Sequence, residues 1–96
     1  MRKILLVSRH AIILASQLNH LYENNFDAIG ALRDAEAVSF LKSFKPDLVI
    51  FGGHFDATEE TKLMEALRDC QPNVLIIKYQ GGVKNLLETV NKALAI

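Results

Sequence analysis

The chain has 96 residues, of which 50% are hydrophobic and 23% are charged. This balance predicts one folded domain over residues 1–96 and excludes a disordered chain. Lysine plus arginine and aspartate plus glutamate each total 11, which argues against the dense basic surface that binding to nucleic acid or to an anionic membrane requires, so we expect neither partner.

The first half of the chain alternates between strand and helix patterns. The run KILLV (3–7) has no polar alternation, so it predicts a strand that is covered on both faces, as in a parallel sheet. Apolar residues recur at helical spacing over 10–24, and the weaker run over 25–31 predicts a second, more exposed strand. Asp34 suits the N-cap of the next helix, which Pro46 ends.

The second half repeats this alternation. The runs DLVIF (47–51) and NVLIIKY (73–79) predict two further buried strands. Asp56 or Thr58 suits the N-cap of the helix between them, and an apolar stripe from Val83 onward predicts a last helix. This order of elements predicts an α/β fold, a three-layer α/β/α sandwich around one doubly wound parallel sheet.

Cys70 is the one cysteine in the sequence, so no intrachain disulfide can form. The sequence has no secretory signal pattern, and no apolar run is long enough to cross a bilayer. We therefore expect a cytoplasmic protein in which Cys70 is a core residue near a helix end rather than a reactive thiol.

Two segments, KILLVSRHAIILASQL (3–18) and DAEAVSFLKSFKPDLVIFGG (34–53), resemble parts of the receiver domains of two-component response regulators. The first resembles the first strand and helix of that family, and the second resembles its second helix and third strand. The resemblance extends over most of the chain and implies a flavodoxin-like fold with a four-stranded parallel sheet of order 2-1-3-4. The family has five strand–helix units and this chain has four, so the last helix must cover the same face of the sheet as the first.

The resemblance also implies which residues would carry the chemistry of the family. In the family, an acid pair after the first strand helps to hold Mg²⁺, and an aspartate at the end of the third strand accepts a phosphoryl group. Here the acid pair falls on Ser8 and Arg9, and the acceptor falls on Gly52. The family's hydroxyl position falls on Lys78 or Tyr79, although Lys78 matches the family's lysine instead if the last strand is equivalent to the fifth. Because Mg²⁺ needs carboxylate ligands and glycine has no side chain to phosphorylate, the resemblance implies a degenerate receiver domain with no cofactor and no catalytic activity.

Parallel α/β sheets bind ligands at the carboxyl ends of their strands. The candidate ligand-binding residues at these ends are Ser8, Arg9, His10, Gly52, Gly53, His54, Tyr79, Gln80, Gly81 and Gly82. The two Gly-Gly pairs offer backbone N–H groups to a small anion or a nucleotide, and such a binding module is the alternative function. Neither pair belongs to an established phosphate-binding pattern, and glycines after strands also serve turns.

His10 and His54 are expected on neighbouring loops of the same sheet edge. Two histidines without a carboxylate or thiolate are too few ligands for zinc, so no metal site is predicted. An enzyme that uses one of them as an acid or a base is a second alternative, although no nucleophile or cofactor motif accompanies them.

The first helix indicates an interaction surface. Ile12 and Ile13 lie off its inward stripe, and Gln17 is one of the uncharged polar residues beside them. Such isoleucines are typical of a contact surface, although a wide buried stripe under the last helix explains them equally well. We therefore expect a regulatory or protein-interaction domain with an unidentified protein partner, and a homodimer that is joined through the edge of the last strand or an exposed helix face.

Overall fold

In a computed structural model, residues 2–52, 55–81 and 83–95 are described, and they alternate between strand and helix as predicted. The strands are β1 (Lys3–Val7), β2 (Asp27–Ala31), β3 (Leu48–Phe51) and β4 (Ile76–Lys78). The helices are α1 (Ala11–Glu23), α2 (Asp34–Phe44), α3 (Ala57–Cys70) and α4 (Leu86–Leu94). No helix in the described ranges is both long enough and apolar enough to span a bilayer.

The strands form one parallel sheet of order β2-β1-β3-β4, which confirms the predicted order. Leu5 of β1 is paired with Ile29 of β2 on one side and with Val49 of β3 on the other. Val49 is paired in turn with Ile76 of β4. Every side chain of β3 is buried, and so is every side chain of β1 after Lys3, which explains why these two runs show no polar alternation.

Side chains alternate between the two faces of the sheet, and each face has its own core. On the α1/α4 face, the β1 side chains Ile4 and Leu6 belong to a core that includes Leu14 and Leu21 of α1 and Leu86 and Val90 of α4. On the α2/α3 face, the β1 side chains Leu5 and Val7 belong to a core that includes Ala37 and Leu41 of α2 and Leu63 and Leu67 of α3. The last helix therefore covers the same face as the first, as the resemblance implied.

The predicted helix caps are right for α3 and wrong for α2. Asp56 caps α3, since its Oδ1 accepts a hydrogen bond from the N–H of Glu59 (2.8 Å) and its own N–H donates to Glu59 Oε1 (3.3 Å). The N-cap of α2 is Arg33 rather than Asp34, which is the first residue of the helix. The N–H of Arg33 donates to Glu36 Oε1 (3.2 Å), so a carboxylate one turn later stabilises the start of α2.

Three further predictions need correction. Cys70 is exposed rather than a core residue, because the buried stripe of α3 ends at Leu67. Val83 is exposed and precedes α4, in which the buried stripe begins at Leu86. The last strand, β4, is shorter than the apolar run that predicted it and covers Ile76–Lys78 alone.

Candidate functional site

The carboxyl ends of β1, β3 and β4 place three of the predicted site residues side by side. The backbone N–H groups of Ser8, Gly52 and Tyr79 donate to carbonyl oxygens at the ends of the neighbouring strands, at 3.1, 2.7 and 2.9 Å. The pairing therefore continues one residue beyond each strand. All three residues are buried, and the alternation of side chains assigns them to the α1/α4 face.

The side chain of Gln17, from α1, fills the space beside Gly52. A Cβ atom on Gly52 would lie 3.3 Å from both Gln17 Oε1 and Ser8 Cβ, which is closer than most Cβ contacts in proteins. Gln17 and Ser8 are fully buried polar residues. The prediction that Gln17 belongs to an exposed contact surface is therefore wrong, because α1 directs this amide toward the end of β3 rather than toward solvent.

Arg9 joins the loops that follow β1, β2 and β3. Its Nη1 donates to the carbonyl oxygen of Leu32 (2.9 Å), and its Nη2 forms an ion pair with Asp34 Oδ1. Its Nε lies 3.4 Å from Glu59 Oε2. The guanidinium carbon also lies 4.5 Å from the centroid of the Phe55 ring, within the range of a cation–π contact. We refer to Arg9 and these four partners as the Arg9 cluster.

The residues at this edge do not fit the Mg²⁺ ion that the resemblance implies there. Mg²⁺ binds oxygen ligands in near-octahedral geometry. The two positions after β1 carry the buried hydroxyl of Ser8 and the guanidinium of Arg9, and the carboxylates of Asp34 and Glu59 contact that guanidinium. Within the described ranges, no group of three or more His, Cys, Asp and Glu residues is arranged to hold a metal ion. A divalent cation beside Asp34 would meet a fixed positive charge.

His10 lies at the start of α1. It is the N-cap residue, and its Nδ1 accepts a hydrogen bond from the N–H of Ile13 (3.3 Å). Its own N–H donates to Ser8 Oγ (3.1 Å). His10 thus stabilises the turn between β1 and α1. His54 lies outside the described residues, so the proximity of the two histidines stays a prediction.

The loop after β4 contains the last group of candidate residues. Tyr79 belongs to the core of the α1/α4 face, and burial there raises the pKa of its hydroxyl above the ordinary value. Among the described residues, this buried hydroxyl has no hydrogen-bond partner. Gln80 is exposed, and Gly81 has a φ of 146°, which residues with a side chain rarely adopt. Gly53 and Gly82 lie outside the described residues, so anion binding by the two Gly-Gly pairs stays a prediction.

Lys78 lies on the opposite face of the sheet from Gly52. Its Nζ is 3.1 Å from Glu60 Oε2 of α3, and its side chain is 61% exposed. A groove of about 340 Å³ lies beside this ion pair, between α3 and the edge strand β4. Its lining is Glu60, Thr61, Met64, Glu65, Arg68, Asp69 and Lys78.

The two isoleucines of the predicted interaction surface differ in burial. Ile12 is 75% exposed, whereas Ile13 is half-buried. The exposed residues one or two turns after Ile12 on the same helix face are Ala15, Ser16 and Asn19. The exposed part of this surface is therefore a small uncharged patch around Ile12.

Sequence reasoning missed the residues that shape this edge of the sheet. The helical pattern places Gln17 on the surface, and no motif points to Asp34 or Glu59 as site residues. A signal for the two acids exists, because each lies in the first turn of a helix that begins at the edge where Arg9 is expected. Their pairing with Arg9 spans 25 and 50 residues, so no local pattern contains it.

No protein-family model and no curated protein sequence matches the chain. Solved structures do match it. The receiver domain of the hybrid histidine kinase CckA is 16% identical, with 96% of this chain and 98% of that chain covered and a TM-score of 0.78. A CheY-like receiver domain protein from Methanospirillum hungatei JF-1 is 20% identical, with 97% and 76% covered and a TM-score of 0.72.

The response regulator TrrA from Thermotoga maritima, solved in complex with Mg²⁺ and BeF, is 20% identical, with 97% of this chain and 81% of that chain covered and a TM-score of 0.71. Identities this low carry no chemistry from one protein to another, but the coverage extends over almost the whole chain. The order of the strands and the assignment of helices to faces agree with this likeness. The chain therefore has the flavodoxin-like fold of response-regulator receiver domains.

Proposed function

We propose that this chain is a receiver-like regulatory or protein-interaction domain that does not undergo aspartyl phosphorylation and is not an enzyme. The observation that supports the proposal most directly is the packing of Gln17 against the end of β3, where its Oε1 lies 3.3 Å from the position of a Cβ on Gly52. The receiver fold supports the regulatory part of the proposal, because small domains of this fold serve as signalling modules in the family that the sequence resembles.

Phosphotransfer at the end of β3 would need a carboxylate with space around it. Such a carboxylate would extend beyond the Cβ position of Gly52 and would meet the oxygen of a buried amide. Burial disfavours an ionised carboxylate, and a second oxygen nearby disfavours it further. The surroundings of Gly52 are therefore packed side chains, and they do not form an open pocket for a phosphoryl-accepting residue.

The activity of the domain would then not depend on phosphorylation. Without an acyl phosphate, the conformation of the domain has no covalent switch, so the availability of a partner would control its activity. The patch around Ile12 is one candidate contact surface, because this large apolar side chain is 75% exposed and a partner could bury it.

The edge of β4 is the second candidate contact surface. The N–H of Val49 donates to the carbonyl of Leu75 (2.9 Å), and the N–H of Tyr79 donates to the carbonyl of Phe51 (2.9 Å). In a parallel pair, every second residue of a strand directs its N–H and C=O groups toward the same neighbour. The N–H and C=O groups of Ile76 and Lys78 therefore point away from β3.

An edge with outward backbone groups and apolar side chains favours pairing with a second copy. A homodimer through this edge, in the cytoplasm, is part of the proposal.

Intact-protein mass spectrometry after incubation with acetyl phosphate and Mg²⁺ tests the proposal. We expect no increase in mass, and a phosphorylatable receiver domain treated in parallel provides the positive control. A mass increase of one phosphoryl group that is lost when an aspartate is substituted would contradict the proposal.

A further inference from the structure

We propose that Arg9 acts as an internal cation that holds Leu32 and the starts of α2 and α3 against the end of β1, so that this edge keeps one arrangement without a bound metal ion. We base this role on the proposed function, in which no phosphorylation takes place at the end of β3. It adds to that function a physical reason why the edge does not switch.

Each of the three nitrogen atoms of the guanidinium group has a different partner. Its Nη1 donates to the carbonyl oxygen of Leu32 (2.9 Å), a residue between β2 and α2. Its Nη2 contacts Asp34 at the start of α2. Its Nε contacts Glu59 in the first turn of α3 (3.4 Å). One side chain thereby links two helix starts that are 25 residues apart in sequence.

The Arg9 cluster is connected to the core of the α2/α3 face. The Phe55 ring lies under the guanidinium and stacks on the ring of Phe51 with centroids 5.4 Å apart. Phe51 is a buried residue of β3. The Arg9 side chain is itself only 23% exposed. A network of several charges with partial burial holds its geometry better than an isolated surface ion pair does.

The Glu59 carboxylate has a partner besides Arg9, and Asp34 lies where a helix favours an acid. Glu59 Oε1 accepts the N–H of Asp56 (3.3 Å) as part of the cap of α3, and Asp34 lies at the positive end of α2. Substitution of Arg9 would remove the contacts that connect Asp34 and Glu59 to the residues that follow β1. The guanidinium is thus the joining element of the cluster.

A guanidinium differs from a bound metal ion in its permanence. Arginine stays protonated throughout the pH range in which proteins fold, and its five N–H donors form a fixed planar fork. A metal ion can dissociate, whereas this charge is part of the chain. The arrangement of the loops would therefore be insensitive to divalent cations.

Hydrogen exchange measured by mass spectrometry or NMR, on the full chain, tests this role. The variants are Arg9→Ala, Arg9→Lys and, as the control, Lys78→Ala, which removes a different ion pair to α3. Each is measured with a chelator and with Mg²⁺. The readout is amide protection over 32–36 and 55–59, a range that leaves out the Lys78 partner Glu60, with β1 as the internal reference.

We expect Arg9→Ala to lower protection in both segments by about five- to tenfold, which is the scale of a charged hydrogen bond reduced by partial exposure. Arg9→Lys should lie between Arg9→Ala and the original chain, because an ammonium lacks the planar fork. Lys78→Ala should leave both segments unchanged, and Mg²⁺ should change nothing in the original chain.

Equal protection in the original chain and in Arg9→Lys and Arg9→Ala would overturn the role of Arg9, and so would Mg²⁺-dependent protection in the original chain. If Arg9→Ala does not fold, the comparison of Arg9→Lys with Lys78→Ala decides, since only the former should lose protection in the two segments. Phosphorylation by acetyl phosphate would overturn the proposed function, but the effect of Arg9→Ala on protection could still be measured. A failure of the proposed function is therefore distinguishable from a failure of the role of Arg9.

Discussion

The Oε1 atom of Gln17 lies 3.3 Å from the place that a Cβ atom on Gly52 would take, so a helix side chain packs directly against the end of a central strand. Both residues are buried. Open α/β sheets bind ligands at the carboxyl ends of their strands. In this chain the same position is buried and packed against α1, and the consequences can be measured one residue at a time.

Substitutions at Gly52 separate the effect of added side-chain volume on stability from the effect of added charge. Gly52→Ala should remain within about 1 kcal/mol of the original free energy of unfolding, because a tight contact is offset by a less flexible unfolded chain. Gly52→Asn should cost somewhat more, since its larger side chain must fit beside Gln17, but its amide can donate to Oε1. Gly52→Asp should be the most destabilising, by about 2 kcal/mol or more, because it buries a carboxylate against an oxygen. Urea unfolding measures all three, and an Asp variant as stable as the Asn variant would show that the space is not closed.

Removal of the Tyr79 hydroxyl should not destabilise the protein. This buried group has no hydrogen-bond partner among the described residues, so Tyr79→Phe removes a polar atom whose desolvation is uncompensated. We expect the free energy of unfolding to stay equal or to rise by up to about 1 kcal/mol. Tyr22→Phe is the matched control, because the Tyr22 hydroxyl donates to the carbonyl of Ala28 (2.7 Å) and its loss should lower stability. A clear loss of stability in Tyr79→Phe alone would reveal a partner for that hydroxyl.

Burial of Tyr79 also predicts a loss of stability at alkaline pH. The pKa of this tyrosine is raised above its ordinary value of 10.0, because burial disfavours the phenolate. The folded state therefore retains a proton that the unfolded state releases, so the contribution of this group is complete below pH 10.0 and is lost as the pH rises through the folded-state pKa. Above pH 10.0, the melting temperature of Tyr79→Phe should fall less steeply with pH than that of the original chain. Equal slopes for the two proteins would exclude Tyr79 as the cause.

The edge of β4 should mediate self-association. Lys78 directs its backbone N–H away from β3, so Lys78→Pro removes an outward donor without removing a hydrogen bond to β3. Sedimentation should give a dimer for the original chain and for Lys78→Ala, and a monomer for Lys78→Pro. If Lys78→Pro remains a dimer and Ile12→Asp becomes a monomer, the exposed face of α1 is the interface instead. A monomeric original chain would remove the homodimer from the proposal.

Those features of the fold that depend on long apolar runs could be predicted from the sequence. Strands β1 and β3 are continuous apolar segments because both faces of each are covered, and the shortage of one strand–helix unit requires α4 to cover the face of α1. Asp56 was predictable as a cap because its bonds are to a residue three positions away.

The candidate site was harder to predict because its contacts depend on tertiary packing. Helical periodicity assigns an amide such as Gln17 to the polar face, and only the position of α1 over the end of β3 explains its burial. The contacts of Arg9 with Asp34 and Glu59 join the residues after β1 to the starts of two helices that are distant in sequence. Cys70 was misplaced because the last turn of α3 leaves the buried stripe, which a repeating pattern cannot indicate.

A backbone-amide NMR titration with Mg²⁺ and beryllium fluoride is the most direct measurement, since TrrA holds this pair in its solved structure. We predict that the resonances of Ser8, Gly52 and Tyr79 keep their positions throughout the titration, because Gln17 already occupies the space at the end of β3. Saturable shifts concentrated on these three amides would contradict the central claim, since they would require an open pocket that accepts a phosphoryl analogue.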